Sequence, residues 1–264
     1  MMNLADLLSF VSGSLVGFAL GLLGGGGSIL AVPLLIYVVG IKDTHVAIGT
    51  SALAVSLNAF ANLAVHARAG TVKWACALVF ALFGMAGAAL GAALGRRVDG
   101  QQLLFLFGLV MLAVAAGMFR RREGHGDPLV HINPAIAGRL AGTGLLVGLL
   151  SGFFGIGGGF LVVPAIMMGS GMATIHAVGS SLVSVGAFGL TTAVSYAFAG
   201  LVDWRVAGFF VAGGIAGGLF GVRLSVALAD KRNLLSRIFA VAVGCVALFI
   251  LWKAGAGLAH RMAP

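Results

Sequence analysis

Gly17-Phe18-Ala19-Leu20-Gly21-Leu22-Leu23-Gly24-Gly25-Gly26-Gly27-Ser28-Ile29-Leu30-Ala31-Val32-Pro33 has a second version later in the chain. It is Gly148-Leu149-Leu150-Ser151-Gly152-Phe153-Phe154-Gly155-Ile156-Gly157-Gly158-Gly159-Phe160-Leu161-Val162-Val163-Pro164. The shift between the prolines is 131 residues. Further on, Gly49-Thr50-Ser51 meets Gly179-Ser180-Ser181 at a shift of 130, and Gly70 to Trp74 meets Gly200 to Trp204 at the same shift. Gly84, Gly87 and Gly91 meet Gly214, Gly217 and Gly221. One single-residue gap reconciles the two offsets, so the chain reads as a duplication. Residues 1–119 form the first repeat, 120–134 a polar linker and 135–264 the second repeat.

Both copies lie in very apolar surroundings. The chain has 264 residues, 60% hydrophobic and 9% charged, with a mean hydropathy of +1.12. A soluble domain carries about a quarter charged residues. This composition excludes an ordinary cytosolic enzyme, a nucleic-acid-binding domain and a disordered chain. The net charge of +9 comes from basic residues set between apolar runs, the pattern of membrane loops facing lipid headgroups. The N-terminus lacks a basic leader, so the first apolar run is expected to be retained. Cys76 and Cys245 lie inside apolar runs and suggest neither a disulfide nor a metal site.

The run lengths give the spans. Val46 to Val65 has 20 residues without charge, Trp74 to Gly95 has 22 and Gly100 to Phe119 has 20. Each suits one membrane-crossing helix. Between Asp6 and Lys42 lie 35 uncharged residues, too many for one crossing and too few for two full ones. Four glycines in a row sit in its middle, and Gly155-Ile156-Gly157-Gly158-Gly159 divides the equivalent run. Glycine disfavours continuous helix. The expected fold is an all-α polytopic membrane protein of about eight helices, in two homologous halves that each open with a Gly-broken helix. The broken helices cover 4–40 and 136–170, each an unwound Gly turn followed by a short helix with Pro33 or Pro164 near its start. The remaining helices are expected at about 44–67, 73–95, 101–119, 174–199, 203–225 and 233–253.

Non-helical backbone at membrane depth must be buried in protein or line a cavity. Free N–H groups at such a break, with the positive end of a helix dipole, bind anions without a charged side chain. Paired repeats with discontinuous helices meeting near the midplane are a transporter design. The candidate substrate ligands are Gly24, Gly26, Gly27 and Ser28 with Gly155, Gly157, Gly158 and Gly159, joined by the hydroxyls of Thr50, Ser51, Ser180 and Ser181. Asn58 and Asn62 are one turn apart and share a face that should point at a cavity or another helix. His45, His66 and His176 are candidates for proton coupling. No cluster has metal-ligand spacing, no carboxylate pair lies in a span, and no P-loop lysine follows the glycines. No catalytic residue, metal or cofactor is expected.

The doubled Gly motif ending in Pro33 and Pro164, followed by the Gly-Thr-Ser and Gly-Ser-Ser starts, resembles the TauE/SafE, or sulfite exporter, family of membrane transporters. The resemblance runs from about Gly17 to Trp252. It implies a multi-pass protein of the bacterial inner membrane that moves small sulfur-containing anions such as sulfite, sulfoacetate or other organosulfonates, often outward. It also implies that Gly24, Gly26, Gly27 and Pro33, with Gly155, Gly157, Gly158, Gly159 and Pro164, are the motif positions. The implied function is a secondary anion transporter, not an enzyme. The alternative is a non-transporting membrane anchor or assembly subunit. The expected partners are a small anionic substrate and the lipid bilayer, with no nucleic acid; nothing in the sequence argues for a homo-oligomer.

Topology divides two ways. If each broken segment crosses and continues, the halves are parallel, and lysine plus arginine divide 9 to 7 between the faces. If each enters and returns, the repeats are inverted. The N-terminal side then carries Lys42, Arg96, Arg97, Arg205, Lys253 and Arg261, against ten on the other side. The inverted arrangement is favoured, because the larger bias makes the ten-residue side, with the linker, cytoplasmic.

Overall fold

The computed structural model describes residues 3–120, 132–157, 159–227 and 232–262. Their regular elements are all helical, and eight helices are long and apolar enough to cross a membrane. Helix α1 covers Leu4–Leu23 and is followed by a 3-10 segment over Gly24–Leu30, the short α2 (Ala31–Leu34) and a π-helical turn over Leu35–Val39. Then come α3 (Thr44–Arg68), α4 (Trp74–Gly95) and α5 (Gly100–Arg120). The later helices are α6 (Pro134–Phe154), α7 (Gly159–Ser170), α8 (Thr174–Ala197), α9 (Trp204–Ala227) and α10 (Arg232–Met262). The expected linker lies largely outside the described residues.

The few acids are spent on helix starts. Asp43 Oδ1 accepts from the His45 and Val46 amides at the start of α3. Asp203 Oδ1 does the same for Arg205 and Val206 at α9. Asn133 caps α6 through the Ile136 amide, with Pro134 in the first turn. Such caps satisfy amides that have no partner within the helix. Asp6 instead accepts two bonds from Arg205, at 3.0 and 2.7 Å, which ties the start of α1 to the start of α9.

Small residues decide which helices touch. A Cβ added at Gly13 would strike the backbone of Phe210, one at Gly17 that of Gly214, and one at Gly21 that of Gly218. Partner numbers rise together, so α1 and α9 run parallel. Gly148 meets Gly84 and Gly152 meets Ala88 in the same manner, so α6 runs parallel to α4. Without water to drive helices together, such close backbone approach and its van der Waals contact hold membrane helices.

At the centre, α3 and α8 run antiparallel. Gly49 faces Tyr196, Ser56 faces Gly189, and Phe60 faces Gly186. The Ser56 hydroxyl donates to the Gly186 carbonyl at 2.7 Å. Asn58 against Gly214 and Asn62 against Gly218 set α3 parallel to α9, and hence to α1. The chain therefore crosses in α1 and must return before α3 begins. It does so through residues 24–39, and Gly27 lies back against Ala19 and Leu20 of α1. Likewise Gly169 near the end of α7 packs on Leu140 and Thr143 near the start of α6, so α7 returns along α6.

The two breaks differ in form. The expected unwound turn at Gly24–Gly27 is a 3-10 coil, which eclipses residues three apart and is least crowded without side chains. The second break is an open turn, with Gly155 and Gly157 at φ values of 67° and 64°, where only glycine sits without strain. Pro33 lies in the short α2. Pro164 lies inside α7 rather than at its start. The carbonyl it leaves unbonded is that of Phe160, four residues back in the first turn.

Gly148→Val should lower stability by about 1–3 kcal/mol, because the new side chain forces α6 off α4. Gly142→Val, with nothing within 4 Å of the added Cβ, should be silent in the same thermal unfolding measurement. For topology, single cysteines at Asn3, Lys42 and Arg97 in a background lacking Cys76 and Cys245 should label from one face, and a cysteine at Lys73 from the other. Labelling of the Asn3 and Lys73 positions from the same face would contradict the helix directions.

Candidate functional site

Helix α6 ends when Gly155 turns left-handed and its N–H bonds back to the Ser151 carbonyl. The Gly155 carbonyl accepts from Ser51 Oγ of α3 at 3.2 Å. Two residues on, Gly157 lies against Val55 and Val185, near the middle of α3 and of α8. Gly159, buried, then opens α7. The 3-10 segment Gly24–Leu30 packs on α7 and on α8. Both Gly breaks thus reach the central antiparallel pair. Gly158 falls outside the described residues. Gly24 and Gly26 lie on the 3-10 coil with the buried Gly27 and Ser28.

The hydroxyls divide by what they do with their proton. Thr50 Oγ1 accepts from the Asp203 amide, and Ser180 Oγ accepts from the Lys73 amide, both at 2.9 Å. An accepting hydroxyl keeps its own proton to donate. Ser51 shares its one proton between the carbonyls of Ile48 in its own helix and Gly155, and Ser181 gives its proton to the Val178 carbonyl, the ordinary habit of serine in a helix. Ser151 and Ser184 are wholly buried and their Oγ atoms meet no partner among the described residues. Ser151 is in the last turn of α6, and Ser184 precedes Val185. The Ser151 carbonyl accepts from the Gly155 amide, and Val185 lies against Gly157, so both serines are next to residues that touch the turn. Ser151 is inconspicuous in the sequence, and nothing but position in the fold singles it out.

The asparagine face points at a helix. Asn62 Nδ2 donates to the Asn58 carbonyl at 3.0 Å, and both side chains lie against α9. Both polar atoms of the Asn58 amide are buried and meet no partner among the described residues. The histidines sit at the ends of the central pair. On the face opposite the N-terminus, His66 Nδ1 is 3.0 Å from Thr71 Oγ1, and His176 Nδ1 is 3.0 Å from the Thr71 carbonyl. A carbonyl only accepts, so His176 carries its proton on Nδ1. His45 lies at the other end, with its ring 6.3 Å from that of Tyr196.

Eight apolar spans around two inward returns make this a multi-pass membrane protein. A family model described as sulfite exporter TauE/SafE matches residues 9–250. The chain belongs to the TauE/SafE family and is a membrane transporter. It is 50% identical over 258 residues to a probable membrane transporter protein of Xylella fastidiosa, covering 96% of this chain and 97% of that one. It is 26% identical over 263 residues to the probable membrane transporter protein YunE of Bacillus subtilis, covering 90% and 96%. No solved structure matches.

Stability and transport should separate at these hydroxyls. Thr50→Val leaves the half-buried Asp203 amide without its hydroxyl acceptor and should cost about 1 kcal/mol in thermal unfolding. A Ser151→Ala, Ser184→Ala double variant strands no partner. It should unfold as the wild type does while raising the KM for transported anion about tenfold.

Proposed function

We propose that this chain is a secondary transporter of a small anion, of the sulfite, sulfoacetate or organosulfonate class, in the bacterial inner membrane. It works by alternating access around the two Gly breaks. The observation that carries this reading is the enclosure of the Gly155–Gly157 turn by the middles of α3 and α8, with the other break packed beside it. The anion is held by backbone N–H groups of Gly24, Gly26, Gly27, Gly155, Gly157, Gly158 and Gly159. Hydroxyls of Ser28, Ser151 and Ser184 complete its shell, and those of Thr50 and Ser180, at opposite faces, meet the anion as it enters or leaves. Ser51 shapes the Gly155 turn, and Ser181, Asn58 and Asn62 line the helices around it.

Reciprocal contacts support an inverted-repeat mechanism. Thr50 binds the amide of Asp203 while Ser180 binds the amide of Lys73, and each residue lies 130 positions from its counterpart. The counterpart helices α3 and α8 are antiparallel, so the relating axis lies in the membrane plane. Residues 1–119 and 135–264 are then the two repeats, joined by the 120–134 linker and interlocked where α1 packs on α9 and α6 on α4, so the bodies that rock are these mixed helix pairs rather than the halves. The six-to-ten division of lysine and arginine read from the sequence for inverted repeats supports a cytoplasmic linker side. Asp6 is held by Arg205, which leaves His45, His66 and His176 as the groups able to carry a proton through the cycle.

Proteoliposomes loaded with radiolabelled sulfite, sulfoacetate or taurine test the proposal. Saturable flux of at least one is expected, and Gly157→Leu should abolish it with expression intact, because the side chain would fill the space between Val55 and Val185. Absence of flux for every anion, or full flux in the leucine variant, refutes the proposal.

A further inference from the structure

The N-terminal face of the α3–α8 pair holds three groups the central site does not use. Tyr196, near the end of α8, is fully buried, and its hydroxyl has no partner among the described residues. His45, in the first turn of α3, has a buried Nδ1 in the same condition. The two rings are 6.3 Å apart. Arg96, just past α4, places its guanidinium carbon 5.9 Å from the Tyr196 ring centroid. It spends one N–H on the Ser195 carbonyl at 2.8 Å. It pairs with no carboxylate, the ion pair among the described residues being that of Asp6 with Arg205. Nearby acids serve as caps: Asp43 holds the His45 and Val46 amides, and Asp99 holds the Gln101 amide.

The opposite face is the internal control. His66 stands 130 residues before Tyr196, and His176 stands 131 after His45. There both imidazoles close on Thr71. At that end Nδ1 of each imidazole is met, whereas at the N-terminal end His45 Nδ1 meets no partner among the described residues. A buried phenol and imidazole left open are costly unless something outside the chain meets them. A phenol and an imidazole able to donate, beside a guanidinium with spare N–H groups, attract oxygen atoms that carry negative charge. The burial of Tyr196 restricts the guest to a few atoms at its hydroxyl.

We propose that Tyr196, His45 and Arg96 form a second binding site, for a small oxyanion, at the N-terminal mouth between α3 and α8. It is separate from the Gly155–Gly157 turn, and its occupancy does not depend on transport. The ligand oxygen takes the Tyr196 proton bond, with His45 and Arg96 around it. A free oxyanion and the phosphate of an anionic lipid headgroup offer the same chemistry.

The test uses the purified full chain in nanodiscs of zwitterionic lipid, titrated with radiolabelled sulfate and sulfite, with thermal unfolding measured in parallel. Wild type should bind saturably. Tyr196→Phe keeps the ring and should weaken one binding component about tenfold, and Arg96→Gln should do the same. Lys42→Gln, an exposed cation of the same face, should leave it unchanged. Gly157→Leu should leave the Tyr196-dependent component in place. Repetition with phosphatidylglycerol discs separates the sources: binding of the lipid in place of free anion, still lost in Tyr196→Phe, supports the same site with a headgroup guest. Equal binding by wild type and Tyr196→Phe in both lipids overturns the proposal, as does no binding at all. If the Tyr196-dependent component persists while proteoliposome flux is nil for every anion, this site stands and the transport reading falls.

Discussion

Hydrocarbon offers no partner to the N–H and C=O groups that come free where α6 stops at Phe154, so the turn that follows exists only because α3 and α8 enclose it. The rest of the architecture follows from this requirement. Ser51 reaches across to the Gly155 carbonyl, and Val55 and Val185 close on Gly157. A side chain on any of these glycines would break either the left-handed backbone or the enclosure. To enclose the turn, α3 and α8 must lie side by side in the interior, and their burial is the highest among the eight spans. The other long helices can then be arranged around them with lipid-facing sides rich in leucine and phenylalanine.

The spans were legible because the chain uses its charges sparingly. Asp43, Asp99 and Asp203 mark helix starts, and the lengths between charges measured the helices almost directly. The breaks were legible because four glycines in a row have no place in a continuous helix. Partner choice was not legible. That α1 should lie on α9 depends on Gly17 matching Gly214 across nearly two hundred residues, and many glycines in this chain could have made such a match. The hydroxyls were ambiguous for another reason. Thr50, Ser51, Ser180 and Ser181 look alike in sequence, yet two accept from distant amides and two bond their own helix. Only the position of Asp203 and Lys73 in space decides between these uses. The Arg96–Tyr196 contact was hidden likewise, since one residue reads as loop charge and the other as an interfacial aromatic.

Interlocking also determines what can move. The first helix of the chain belongs in space with the ninth, and the sixth with the fourth. Two hydroxyl–amide contacts of equal length, Thr50 with Asp203 and Ser180 with Lys73, join the central helices to the hairpin loops at opposite faces. A cycle that opens one face must release one of these contacts while the other holds. The rigid glycine crossings then carry each outer helix pair along as a body, since the backbones are too close to slide independently.

The α1–α9 crossing carries a consequence for biosynthesis. Helix α1 leaves the ribosome long before α9, yet its Gly13, Gly17 and Gly21 face has no seat until Phe210, Gly214 and Gly218 have been made. Asp6 waits for Arg205 over the same interval. This helix, made early, therefore docks late. It must remain in the lipid, or against the insertion machinery, while most of the chain is synthesised, and a nascent chain halted before α9 has no place to put it.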